Sequence, residues 1–143
     1  MARPRHDIPF ATDAEIETFV VRFEACEWPY ERWTHRAHLA LAVVYLRRYP
    51  PGEALAQVRA AIQRYNKACG DPNGYHETIT VLFMRRVNWA LHYELTGTLV
   101  QLVDGLYKRC TLDWLLRYYS RECLWSAAAR AGWIEPDLCP LDF

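Results

Sequence analysis

No two cysteines of this chain form a Cys-x-x-Cys pair, and the five present (Cys26, Cys69, Cys110, Cys123 and Cys139) are odd in number and widely spaced. This excludes a disulfide framework and a thiolate zinc site, and reads instead as small core residues in a reducing compartment. Neither sign of charge is in excess: Lys+Arg and Asp+Glu are 17 each. Nucleic acid and anionic membranes both reward a basic surface, so neither is expected as a partner. No apolar run approaches the ~20 residues of a membrane span. The opening Met1-Ala2-Arg3-Pro4-Arg5-His6-Asp7 leads into no hydrophobic stretch of the secretory kind. A cytoplasmic location is therefore the expectation. Gly-x-Gly-x-x-Gly and Walker-type loops are missing, as is a Gly-x-Ser-x-Gly elbow, which leaves phosphate cradling and serine hydrolase chemistry without support. Alternating β patterns are nearly absent as well.

What is present is a well-populated core. Hydrophobic residues make up 52% of the 143 and aromatics 14%, which rules out global disorder and suffices for one domain without metal or disulfide support. A single domain over 1–143 is expected, with 1–11 as a mobile arm. Helical periodicity recurs along the chain. Thr12 and Glu15 have capping-box spacing ahead of Ile16, Phe19, Val20 and Phe23, which predicts a first helix from about Asp13 to Cys26. Thr34 caps a second, to about Tyr49, closed by Pro50-Pro51-Gly52. A third runs from about Glu53 to Ala68 and ends at Gly70. Asn73 is the candidate cap of a fourth, from about Tyr75 to Leu95. Thr98 and Gln101 repeat the capping box and open a fifth to about Tyr107. Thr111 caps a sixth through Tyr118, and Ser126 to Arg130 makes a last turn or two before an extended tail from Trp133. The fold class is all-α, a helical bundle of about five to six helices with an extended C-terminal tail.

Chemistry concentrates in two segments. In Trp33-Thr34-His35-Arg36-Ala37-His38-Leu39, His35 and His38 are i,i+3 neighbours on the face continued by Ala42, Tyr45, Leu46 and Tyr49, so both imidazoles point into the bundle. Inward imidazoles on successive turns suit zinc, iron or nickel, though each can equally donate to a core carbonyl. In Asn73-Gly74-Tyr75-His76-Glu77-Thr78-Ile79-Thr80, His76 and Glu77 stand in the first turn of the fourth helix. The ~100° between adjacent positions prevents both from facing one ion directly. In an up-down bundle the second and fourth helices start at the same end, so His76 can join His35 and His38 in the three-ligand open arrangement of catalytic metals.

Thr80, Tyr45 and Tyr75 are candidate pocket walls, and Asn88 extends the Glu77–Thr80 face inward. Arg121 and Arg130 flank the Ser120 and Ser126 turns, where either can hold an anionic substrate or pin the tail, the tail being the expected role. His-Glu-Thr-Ile-Thr lacks the second His of a zincin, and the glutamates do not supply the paired Glu-x-x-His pattern of a di-iron bundle.

Trp33-Thr34-His35-x-x-His38-Leu39, Tyr75-His76-Glu77-Thr78-x-Thr80, and the ending Tyr119-Ser120…Ala129-Arg130…Pro136-Asp137-Leu138 resemble a family of small, uncharacterised, all-helical proteins. That resemblance spans nearly the whole chain and implies a fold, with no activity to carry over. A looser architectural likeness is to DinB-type bundles, which hold a metal with three histidines near one end. Here the close His pair precedes the single His, the reverse of their order.

Two functional expectations follow. In the first, the chain is a metal-dependent hydrolase or oxygenase acting on a small molecule. One divalent ion (Zn, Fe or Ni) is held by His35, His38 and His76, and Glu77 acts as fourth ligand or base. In the second, the histidines form the polar core of a non-catalytic module that binds a ligand or forms a homodimer through Trp28, Tyr30 and Trp133.

Overall fold

The computed structural model describes residues 5–143 and is all-helical, with no strand among them. Five longer helices form the bundle: α1 (Asp13–Glu24), α2 (His35–Arg48), α3 (Pro51–Ala68), α4 (Glu77–Tyr93) and α5 (Leu99–Arg109). Three short ones follow, α6 (Leu112–Leu115), α7 (Arg121–Leu124) and α8 (Ala127–Ala131), and a 3₁₀ turn at Tyr30–Arg32 links α1 to α2.

Most helix starts follow the rule that a side-chain oxygen takes the free amide three residues on. Thr12 accepts from the Glu15 amide, Thr34 from Ala37, Thr98 from Gln101, Thr111 from Trp114, Ser120 from Cys123 and Ser126 from Ala129. At Thr98 the box is reciprocal, since the Gln101 side chain accepts from the Thr98 amide at 3.0 Å. At α1 it is not: the Glu15 carboxylate reaches one residue further back, to the Ala11 amide at 2.6 Å. The third helix ends at Gly70, whose φ of 78° lies in the left-handed region that a side chain disfavours.

The second helix is the axis of the bundle, packed against α1, α3, α4 and α5. It is not amphipathic in the expected way: every residue from Arg36 to Tyr45 is buried except His38. A helix apolar on all sides belongs in the middle of a domain. Phe19, Phe23, Trp28, Trp33 and Tyr65 stack on one side of it, and the Tyr65 hydroxyl donates to the Trp28 carbonyl at 2.7 Å. Trp28 is thus a core residue, 6% exposed, and is unavailable to the dimer face suggested for it with Tyr30 and Trp133.

The tail runs extended as expected and closes a second apolar cluster of Leu82, Trp114, Leu115, Tyr118, Tyr119 and Leu124. Thr78, fully buried, both donates to the Gly132 carbonyl (2.7 Å) and accepts from the Ile134 amide (3.1 Å). Tyr119 donates to the Ile134 carbonyl at 2.6 Å, and the Leu138 amide to the Tyr118 carbonyl at 3.0 Å. Of the arm expected to be mobile, residues 1–4 lie outside the described residues. The rest packs across the end of the bundle: Phe10 enters the core at 5% exposure, and the His6 amide donates to the Glu31 carbonyl at 2.6 Å.

Candidate functional site

The N-terminal turns of α2 and α4 lie at the same end of the bundle, and a cleft opens between them. It has two chambers. The front one, about 430 Å³, is lined by Trp33, Thr34, His35, His38, Leu39, Ile79 and Phe83, with Arg5 and Asp7 at its mouth. The rear one, about 260 Å³, adds Tyr30, Asn66, Asp71, Tyr75, His76, Thr80, Trp125 and Arg130. Arg5, Trp33, His38 and Ile79 belong to both, so His38 stands on the partition.

Each imidazole is oriented by a backbone carbonyl. Because a carbonyl only accepts, the ring nitrogen facing it carries the proton, and this fixes the neutral tautomer. His35 donates through Nε2 to the Cys110 carbonyl (2.5 Å) and His38 through Nδ1 to the Thr34 carbonyl (2.6 Å). Nδ1 of His35 and Nε2 of His38 have no partner among the described residues and remain lone-pair acceptors on cleft-lining rings. The Trp33 ring stacks on His38 with centroids 3.6 Å apart. His38 is open to solvent through the cleft, yet the protein around it strips enough water to push its pKa down to about 4, against the smaller opposing pull of the Thr34 carbonyl. Burial lowers His35 in the same way, opposed by its Cys110 bond. Both are neutral at pH 7.

His76 differs. It is not in the first turn of α4 but is the N-cap itself, displacing Asn73 from that role: Nδ1 accepts the Ile79 amide at 3.2 Å while Nε2 donates to the Leu124 carbonyl at 2.6 Å. With both nitrogens engaged it has no lone pair to offer an ion, although its ring does line the rear chamber. Burial lowers its pKa too. Among the described residues no group of three or more His, Cys, Asp or Glu side chains is placed to hold a metal ion.

Glu77 turns toward α3. Arg59 grips both its oxygens at 2.9 Å through Nε, and the Tyr75 hydroxyl donates to Oε2 at 2.8 Å. The Arg59 contact, foremost, holds its carboxyl below the usual range, so it is an ionised structural partner lining neither chamber. Tyr75 and Thr80 line the rear chamber with their hydroxyls already committed, Tyr75 to Glu77 and Thr80 to the His76 carbonyl at 2.8 Å. Tyr45 is 3% exposed and packs edge-on to Tyr49 in the core. Asn88 lies three turns along α4 in a shallow depression with Trp89 and Tyr93, away from the cleft. Arg130 pins the loop before α4, not the tail, through the Asn73 and Tyr75 carbonyls.

Three cleft residues escaped the sequence reading. Arg5, placed in the arm, lies over the Tyr30 ring at 4.3 Å, bonds the Trp33 carbonyl and donates to the Tyr30 hydroxyl at 2.7 Å. Asp7 accepts from the Tyr107 hydroxyl and pairs with Arg36 at 3.6 Å. Asn66 sits on the buried side of α3, where its polarity among Ile62, Tyr65 and Ala61 was the available signal. Comparison with protein-family models, with curated proteins and with solved structures finds no match for this chain. No helix among the described residues is long and apolar enough to cross a membrane.

Proposed function

We propose that this protein binds a small molecule in the two-chambered cleft, with His35 and His38 as neutral hydrogen-bond acceptors. One observation carries the reading: His38 alone interrupts the buried run from Arg36 to Tyr45 on the central helix, and it does so where two cavities meet. A mostly apolar concavity with a few convergent polar groups is the usual form of a ligand site. The chemistry favoured is an apolar ring or chain bearing an N–H or O–H donor. The five free thiols suit a cytoplasmic setting. Titrating phenol into ¹⁵N-labelled protein tests this, with shifts of the His35 and His38 ring nitrogens expected and affinity about tenfold lower in His38→Ala. Ring signals that stay put throughout would overturn it.

A second reading, of a metal-dependent hydrolase or oxygenase, has one observation in its favour. A ring N–H donated to a backbone carbonyl is how metal-binding imidazoles are oriented, and His35 and His38 both make that bond. Zinc, iron or nickel would then be held by these two nitrogens, with remaining positions for water and substrate. His76 and Glu77 are committed elsewhere and take no part. Elemental analysis of untagged protein decides: an equimolar ion lost in His38→Ala supports this version, and its lack sinks it.

A further inference from the structure

The hydroxyl and imidazole N–H donors of the rear chamber are spent within the protein. The Tyr75 and Thr80 hydroxyls are committed, both His76 nitrogens are bonded, and Asp71 accepts from the Tyr30 hydroxyl at 2.9 Å. Asn66 differs. It is only 4% exposed, and its backbone carbonyl takes the Asp71 amide at 2.8 Å. Its side-chain amide has no hydrogen-bond partner among the described residues. Among the described residues, Arg32 Nε and Arg36 Nε are the side-chain atoms that are sealed from solvent and make no hydrogen bond, so the Asn66 amide atoms, which make none either, face the open chamber. Facing the chamber, the amide meets solvent in the free protein, and a ligand that matches both its donor and its acceptor takes the water's place.

We propose that Asn66 reads the amide edge of a planar ligand in the rear chamber, with Nε2 of His38 as a further acceptor. An Asn side chain offers an acceptor and a donor side by side in one plane, and its complement is an adjacent N–H and C=O (or ring nitrogen) in a flat molecule. The classes with such an edge are carboxamides, lactams, cyclic imides and nucleobases. Charge does not select the ligand, because Arg5 and Arg130 line the chamber beside Asp71, so the paired donor and acceptor of the amide define it. Size argues for a single ring, since about 260 Å³ is below the range of drug-sized sites. The Trp33–His38 stack supplies a flat wall. Gly74 lets the Asp71 and Asn66 side chains close against the backbone: a Cβ there would lie 2.4 Å from Asp71 Oδ2 and 3.2 Å from Asn66 Nδ2 and would displace them.

This inference rests on the cleft being a ligand site, and the experiment separates the two. The full chain, ¹⁵N-labelled, is titrated with uracil, 2-pyridone and benzamide while the Asn66 side-chain NH₂ pair is followed. A saturable shift of that pair is expected with at least one of them. Binding of that compound should weaken about tenfold or more in Asn66→Ala and in Gly74→Ala, and N-methylation of its N–H should weaken it similarly. The NH₂ signal reports on the unaltered protein, so the result stands even if a variant folds poorly. An unmoved Asn66 pair with all three compounds, equal binding by Asn66→Ala, or equal binding of the N-methylated compound overturns the proposal. If phenol still moves the His35 and His38 rings, only the Asn66 inference falls; if it does not, the cleft reading falls as well.

Discussion

His76 performs two jobs with one ring, and the capping one requires it neutral. Protonating Nδ1 would set an N–H against the Ile79 amide that it now caps. The folded pKa of His76 is lowered, and that of His38 is lowered to about 4 from the ordinary 6.5. Below 6.5 the unfolded chain therefore binds more protons than the folded one, and stability present above that value is lost as pH falls toward the folded pKa values. Urea midpoints at about pH 7.5 and about pH 5 should differ, the lower pH giving the lower midpoint, with a smaller difference in His76→Asn, which caps without titrating. Equal midpoints in the wild-type chain would contradict this. Replacing the ring outright, His76→Ala, should cost about 1–3 kcal/mol with an unchanged denaturant slope. The His-Glu-Thr pattern announced a polar residue at a helix start. It did not distinguish a ligand from a cap, because the distinction lies in which atom faces the Ile79 amide.

Helix ends were the most legible elements, because a cap is satisfied within three residues of its own backbone. Thr12, Thr34, Thr98 and Thr111 all perform the role their spacing indicates. Thr98→Ala removes one half of a reciprocal box, and a loss of about 1 kcal/mol in thermal or urea unfolding is expected. The four-residue α7 and the 3₁₀ turn at Tyr30–Arg32 escaped because neither is long enough to show a period. Glu77 illustrates the opposite limit: its position at the first turn of α4 is local, but its ion pair with Arg59 of α3 is not. Arg59 is 37% exposed on its side chain, so Glu77→Gln should alter stability by less than about 1 kcal/mol. Phenol affinity in that variant should stay within about twofold, since the carboxylate lines neither chamber. A large loss of binding would return Glu77 to the site.

Across the whole molecule, the tail and α4 depend on each other. Thr78 satisfies two backbone groups of the strap with one hydroxyl, and its isosteric change Thr78→Val leaves the Gly132 carbonyl and the Ile134 amide without it. A cost of about 2 kcal/mol or more is expected, measured as a drop in urea midpoint. A change below about 0.5 kcal/mol would show that the strap lifts away and finds water instead.

The order and period of the five longer helices and the caps at Thr12, Thr34, Thr98 and Thr111 were determined by the sequence alone, because each is settled by neighbours a few positions away. Tertiary structure decided which nitrogens stay free. The Cys110 carbonyl that orients His35, the Leu124 carbonyl that engages His76 and the Arg59 that holds Glu77 all come from other helices or turns. So does the enclosure that leaves the Asn66 side chain without a partner among the described residues. A hydrogen-bonding atom is available to a ligand only if nothing else in the fold has claimed it, and those claims are made by residues far away in the chain.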